Sequence, residues 1–566
     1  MKIILDIETN SKHDVIWCCV TRDVETDEVK VWKEASGLQK YLDQCDLIIG
    51  HNIISFDRPV LQKTWKVSMR LNQLYDTLVS ARLLDPSREA GHRLEAYGEM
   101  LGFPKGDYQG EWEQHHGRTL EKGSTEHWDK PVMDLMIPYC IQDTLVTKKL
   151  YSYLVTQLKQ QNFDERSIEL EHQVQEIICK QTENGFKLDE RKAIELQADL
   201  TSKLVAIEAS LQSIFPTKTT ERYSEKTGKR ITDKVEVFNP GSRKQIGERL
   251  IEKGWKPKVF TEKGQPKVDE TTLEGVDIPE AKAIAEYLML QKRIAQISSW
   301  LTELQEDGRV HGRVISNGAV TGRMTHMKPN MAQVPNSSAV YGHECRDLWT
   351  VEKGYKLVGI DASGLELRML AHYMNDDAYT NEVIEGDIHT ANQKAAGLET
   401  RNQAKTFIYA FLYGAGATKI GKITGGGEKE GKKLIDSFLS NTPKLKTLRE
   451  TVANTVQKQG SLPGLDGRRL QVRSEHAALN TLLQSAGAVV MKQALVILND
   501  KLSKLGIDYK FVANVHDEWQ IEVEEGYEHV VGKLGVQSIE QAGKKLKMNC
   551  PLTGEYRAGL TWKETH

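Results

Sequence analysis

Two periodicities divide the chain. Runs that alternate apolar with polar residues, or that gather β-branched side chains, predict strands, and apolar residues recurring every three to four positions predict helices. Lys2-Ile3-Ile4-Leu5-Asp6-Ile7-Glu8-Thr9 opens with a strand whose alternation puts Asp6 and Glu8 on one face and Leu5 and Ile7 on the other. Leu170, Val174, Ile177 and Ile178 repeat at helical spacing until Asn184-Gly185 supplies a stop, and further helical patterns cover 191–214 and 279–306. Leu357-Val358-Gly359-Ile360-Asp361 reads as a strand delivering an acid to its own end. Ser363 and Gly364 then open an amphipathic helix through Leu365, Met369 and His372. Far along the chain, two β-like runs over 511–515 and 519–523 flank His516 and Asp517 as the tip of a hairpin.

Length and charge narrow this picture. A chain of 566 residues exceeds what one core organises, so several domains are expected. The net charge of −3 does not announce a nucleic-acid binder, and any DNA track must be local. Seven cysteines lie scattered without a Cys-x-x-Cys pair and read as reduced thiols. No run of about 18 apolar residues is apparent and the N-terminus starts on a strand, which predicts a cytoplasmic protein without a membrane partner.

The chemistry resides in acids at strand ends. A carboxylate at a strand tip offers oxygens to hard divalent cations, and Asp361 with Asp517 would hold two metals about 3.5–4 Å apart for an in-line phosphoryl displacement. Asp6 and Glu8 in isolation fit a solvent-facing edge strand equally well. Thr400 caps a helix carrying Arg401, Lys405, Tyr409 and Leu412 or Tyr413 along one stripe, with no acid between the two cations, an arrangement suited to a triphosphate. The glycine-rich 426–433 stretch nearly spells a phosphate loop but lacks the terminal Ser or Thr and a preceding strand, so it reads as a turn. Arg468, Arg469 and Arg473 form a basic cluster ahead of Asn480 and Gln484, whose amides suit minor-groove acceptors or a core hydrogen bond. The cation-rich 217–234 stretch reads as a solvated loop or a phosphate contact, and Ser242 as a cap or a phosphate contact.

Three segments together carry a resemblance: Asp361 with its Ser-Gly-Leu-Glu-Leu-Arg tail, Arg401-x-x-x-Lys405-x-x-x-Tyr409-x-x-x-Tyr413-Gly414, and Val515-His516-Asp517-Glu518. The chain resembles family A DNA polymerases, in wording similar to the replicative enzymes of short-tailed bacteriophages. Asp6-x-Glu8, the Asp57 of Gly50-His51-Asn52-Ile53-Ile54-Ser55-Phe56-Asp57, and Tyr139 with Asp143 resemble the signatures of the proofreading 3′–5′ exonuclease.

The resemblance implies a multidomain α/β (α+β) fold, a ribonuclease H-like exonuclease over 1–155 followed by a right-hand polymerase. Its thumb would span 156–305, its antiparallel palm 306–387 and 475–566, and its fingers 388–474. It implies two magnesium ions in each centre, with manganese an accepted substitute: Asp361, Asp517 and the Ala362 carbonyl in one, Asp6, Glu8, Asp57 and Asp143 in the other, Tyr139 orienting the attacking water. Arg401, Lys405 and His389 would hold the nucleotide's phosphates, Tyr409 its sugar and base, and Tyr413 the template side, with Glu366 as steric gate. Arg323, Gln333, Asn480, Gln484 and His516 would contact DNA, and Glu518 would only help shape the site. Implied partners are primer–template DNA, dNTPs and a replicative helicase–primase or processivity factor, in an infected bacterium's cytoplasm. Only the short segment between Phe215 and Phe238 stands where phage relatives carry a thioredoxin-capturing insertion, so thioredoxin dependence is not expected. With the chain starting at the exonuclease strand, no separate 5′ nuclease domain is expected. The rivals are a single-subunit RNA polymerase, against which the front nuclease and Glu366 speak, and an exonuclease whose second half only binds DNA.

Overall fold

The computed structural model describes all residues except 473, 475 and 476, so Arg473 of the expected basic cluster lies outside the described residues. In the N-terminal region five strands form one sheet: Lys2–Thr9, Ile16–Asp23, Val29–Trp32, Leu47–Gly50 and Leu74–Asp76. Counted along the chain, they stand in the order third, second, first, fourth, fifth. The first three pair antiparallel and the last two join parallel to the first, through connections that carry helices. Helix Met133–Gln160 packs on the first two strands and so hangs Tyr139, Cys140 and Asp143 over Asp6 and Glu8.

Near the C-terminus, Tyr509–Val515, Glu518–Glu524, Tyr355–Ala362 and Gly554–Gly559 form a four-stranded antiparallel sheet in that spatial order. Gly359 sits mid-strand because the C-terminal segment crosses it: a Cβ there would lie 2.2 Å from the Thr565 carbonyl oxygen. Helix Ala478–Leu505 is apolar on most of its sides and is enclosed by this region. Its best 18-residue window has a mean hydropathy of 1.5, long and apolar enough by composition to cross a membrane, yet 83% of that window is buried in the protein. The expectation that no such run exists is corrected by this core helix.

Helix Glu165–Asn184 ends where Asn184-Gly185 predicts, with Gly185 at φ +61°. Its Leu170, Val174, Ile177 and Ile178 join the same core as Val358 and Ile360 of strand Tyr355–Ala362. Its other side reaches the N-terminal sheet through Glu176 to Arg58 at 2.7 Å, His172 Nε2 accepting from the Asp76 amide at 2.8 Å, and Gln175 donating to Ser55 at 2.8 Å. Helices Glu190–Ile214 and Pro279–Thr302 pack on each other beyond it.

Two sequence readings change. The 217–234 stretch is not a loop throughout: it forms an exposed hairpin, Lys218–Tyr223 with Arg230–Glu236, in which three of the cations, Lys218, Arg230 and Lys234, pair with Glu252, Asp233 and Glu236. Arg468 is not a DNA-facing cation. It is 2% exposed, and its guanidinium meets Asp466 at 2.7 Å and Glu171 at 2.7 Å. Lys492 shares Glu171 at 2.6 Å, and burial brings its amine down to about 8. Arg469 donates to the Gln161 carbonyl at 3.0 Å. The glycine-rich stretch behaves as expected: a short 3-10 turn precedes it, and Glu430 caps helix Glu428–Asn441 through the Gly427 amide at 3.0 Å. Ser242 caps helix Arg243–Glu252.

Glu171 is the carboxylate on which two buried cations converge, so Glu171→Gln is expected to destabilise the chain by about 3–5 kcal/mol. The measurement is the urea midpoint, with Glu195→Gln of the exposed Arg191–Glu195 pair as a control that leaves it in place.

Candidate active sites

The first centre gathers four acids from three elements. Asp6 and Glu8 project from strand Lys2–Thr9, and Asp57 from the first turn of helix Asp57–Thr64 accepts the Ile7 amide at 3.1 Å. Asp143 comes from helix Met133–Gln160, one turn beyond Tyr139. Burial, then Asp143, brings the Asp6 carboxyl up to about 7; burial and Asp6 raise Glu8 and Asp57 well above the carboxylate range. Asp143 is brought up to about 6 by burial even though Lys105 sits 2.6 Å away. Its Oδ1 is buried without a hydrogen-bond partner among the described residues. Lys105 also lies over the Tyr139 ring at 4.7 Å. Ligand atoms of Asp6, Glu8 and Cys140 fall within 4.8 Å of one another, and the Cys140 thiol donates to Asp6 Oδ2 at 3.3 Å.

The second centre depends on register. Strand Tyr355–Ala362 pairs with strand Glu518–Glu524 so that Asp361 stands opposite Glu518, and the Ala362 amide donates to the Asp517 carbonyl at 3.1 Å. His516 makes the turn at φ +57°, a backbone cost that a functional tip tolerates. Burial, then Asp517, brings Asp361 up to about 7; burial, then Glu366, raises Asp517. Glu518 faces the same way but is engaged, accepting from Gln520 at 2.5 Å, Trp562 at 2.6 Å and His566 at 2.8 Å. That agrees with a shaping role.

Beside these acids stand the other sequence candidates. Glu366 in the first turn of helix Leu365–Met374 accepts from the Tyr413 hydroxyl and lies 3.5 Å from Arg323. Thr400 and Gln403 close a capping box on helix Arg401–Leu412, leaving Arg401 and Lys405 exposed and Tyr409 half-buried. The two cations are not wholly uncompensated, since Asp387 meets Arg401 Nε at 2.7 Å and Arg401 holds its carboxyl well below the ordinary value. His389 is held below its ordinary value by burial and then by Arg401 and Lys405, and its Nδ1 is buried without a hydrogen-bond partner among the described residues. Gln333 is exposed and its carbonyl accepts from Gln296 at 2.9 Å. Gln484 donates to Asn480 at 2.9 Å on helix Ala478–Leu505, so each amide already has one partner.

Lys105, Cys140, Trp562 and His566 escaped sequence reasoning. Lys105 sits in a Gly-Phe-Pro-Lys-Gly turn with no periodic signal, 38 positions before the acid it meets. Trp562 and His566 reach Glu518 only because the C-terminal segment crosses the sheet at Gly359.

The sequence matches the family described as DNA polymerase family A over residues 214–564 and the 3′–5′ exonuclease family over 7–159. It is 34% identical to the DNA-directed DNA polymerase of Enterobacteria phage T3 and 35% identical to that of Escherichia phage T7, each comparison covering 100% of both chains. In fold it is similar to the polymerase domain of Pol1 from M. smegmatis, solved in complex with DNA primer–template and dNTP. The TM-score is 0.78 at 18% identity, covering 100% of this chain and 96% of that one. With both centres in place and these matches spanning the chain, the protein belongs to DNA polymerase family A and carries a 3′–5′ exonuclease domain ahead of its polymerase region.

Proposed function

We propose that the chain extends a primer's 3′ end on a DNA template with dNTPs at Asp361 and Asp517, and removes terminal nucleotides at Asp6, Glu8, Asp57 and Asp143. The observation carrying this reading is the convergence of acids of which, among the described residues, only Asp143 has an ion-pair partner, Lys105. Asp361 is brought up to about 7 by burial and Asp517, which describes carboxylates lacking a counter-cation. The Asp143 oxygen without a partner makes the same point in the nuclease. Both donor sets are hard oxygens and fit magnesium or manganese, two ions to each centre. Asp361, Asp517 and the Ala362 carbonyl would hold the pair in the polymerase, and the four nuclease acids the other. Magnesium, when bound, supplies a Lewis acid that activates the attacking oxygen and offsets charge on the leaving one.

The remaining side chains bind and orient. Arg401, Lys405 and the imidazole of His389, on which both cations act, donate to the triphosphate, Asp387 yielding Arg401 as the phosphates arrive. Tyr409 packs against the nucleotide's sugar and base. Glu366, fixed by Tyr413 and Arg323, fills the space a 2′ hydroxyl needs. Arg323, Gln333, Asn480, Gln484 and His516 track the primer–template, testing minor-groove acceptors common to all correct pairs. In the nuclease Tyr139 orients water through its phenol, and Lys105 holds Asp143 in place. The resemblance to phage replication enzymes points to a helicase–primase or processivity factor as a further partner and to the infected host's cytoplasm. The short 218–236 hairpin supports no thioredoxin dependence.

Asp361→Ala or Asp517→Ala is expected to lower primer extension by at least about a thousandfold while degradation of a single strand persists; Asp6→Ala with Glu8→Ala does the reverse. Both activities are read on one labelled primer, and loss of both from either variant counts against the assignment. Glu366→Ala raises the ratio of ribonucleotide to deoxynucleotide incorporation by about tenfold or more, measured by competition, with an unchanged ratio refuting the gate. Tyr409 permits dideoxynucleotide insertion, so chain-termination ladders form at dideoxy concentrations comparable to dNTP; strong discrimination contradicts this.

A further inference from the structure

Between the exonuclease region and the strand Arg313–Ile315 of the polymerase region lies a cleft of about 950 Å³ that opens beside Tyr139 and Lys105. Arg82 reaches it from helix Thr77–Leu84 of the nuclease, and Arg313 from strand Arg313–Ile315 of the polymerase region. Among the described residues neither guanidinium makes an ion pair or a hydrogen bond. They are close enough to act on one another. Burial, and then Arg313, holds Arg82 below its ordinary value against the pull of Asp76. Two cations facing across a domain boundary, neither of them ion-paired, repel each other, and an anion that enters between them relieves the repulsion.

The rest of the wall describes that anion. Arg93 adds to the positive charge beside the Asp143-paired Lys105, and of the two acids lining the cleft, Asp107 is engaged in capping a helix through the Gly110 amide at 3.0 Å, leaving Glu95. Trp128 and Tyr139 supply aromatic surface. Positive charge interleaved with aromatic rings suits a single nucleic-acid strand, whose phosphates need cations and whose bases stack. A duplex has its bases already stacked and gains nothing from the rings.

We infer that Arg82 and Arg313 form a phosphate clamp, one arm from each domain, that seats the backbone of the single-stranded 3′ end a few nucleotides before the nuclease acids. This rests on the exonuclease reading and adds to it a polymerase-region residue with a role in degradation. A phosphate seated between the arginines relieves the repulsion between them. Both are positioning residues, since neither lies among the acids.

The test is degradation of a 5′-labelled oligothymidylate in magnesium by the full chain and by Arg313→Ala. Arg313 is exposed, and primer extension by the same preparation reports an intact fold. Removing a charge-assisted hydrogen bond to the strand raises KM about tenfold with kcat within about twofold. The slope of log KM against log salt shrinks by about 0.7, as expected when one phosphate of a single strand is no longer neutralised by the protein. Arg313→Lys restores the slope while recovering KM only in part, and Arg313→Glu, which would pair with Arg82, raises KM further. An unchanged KM and slope in Arg313→Ala, or a fall in kcat alone, overturns the clamp while leaving the exonuclease assignment standing. If the unsubstituted chain leaves the oligonucleotide intact, the exonuclease reading fails and the clamp with it.

Discussion

The hydrogen bond from the Ala362 amide to the Asp517 carbonyl fixes the distance between two segments more than 150 residues apart, and much of the polymerase region follows from it. It is the last rung of the ladder between the strand Tyr355–Ala362 and the hairpin strand Glu518–Glu524. Side chains alternate faces along a strand, so a slip of one residue would turn Asp361 into the core and bring an isoleucine to the surface. The buried faces resist that slip. Val358 and Ile360 are fully enclosed with Ile521 and Val523 in one core, and Gly359 is pinned by Thr565 crossing above it. The hydrophobic effect thus holds in place a pair of carboxylates that repel each other.

The two acid centres handle like charge in different ways. In the nuclease one lysine is drawn in: Lys105 meets Asp143 and leaves Asp6, Glu8 and Asp57 crowded, so that the group favours protons or metal over bare ionisation. In the polymerase the cations stay at arm's length. Arg323 is held by Glu366 rather than by Asp361 or Asp517, and Arg401 by Asp387, so no lysine or arginine forms an ion pair with either acid among the described residues. A cation engaged by a side carboxylate is kept from collapsing onto Asp361 and Asp517.

Sequence periodicity disclosed what depends on local pattern. The strand ending in Asp361, the hairpin tipped by His516 and Asp517, the Asn184-Gly185 stop and the Thr400 cap each carry their own signal within a dozen residues. What it hid depends on distance. Arg468 looks like a surface cation beside Arg469, because the Glu171 that draws it inside is 297 positions away. Asp387 is 14 positions before Arg401 and reaches it only because the helix that Asp387 caps packs on the helix of Arg401. The 218–236 hairpin lacks the alternation of a half-buried strand because both of its faces are wet.

Helix Glu165–Asn184 shows why the two activities share one rigid frame. Apolar residues on one stripe enter the palm core, Glu171 anchors Arg468 and Lys492 in a buried ion cluster, and His172, Gln175 and Glu176 grip the nuclease. A surface ion pair is too weak to hold domains in register, whereas buried charges that would be left unpaired resist separation by several kcal/mol. Asn317 adds to the same frame, accepting from Arg468 at 3.2 Å and donating to the Arg82 carbonyl at 2.9 Å. The backbone of Arg82 is therefore tied to the palm's ion cluster while its guanidinium faces Arg313 in the cleft. A strand that seats between those arginines meets a boundary already fixed from behind, so its binding energy goes to positioning the 3′ end and little is lost in docking two loose bodies.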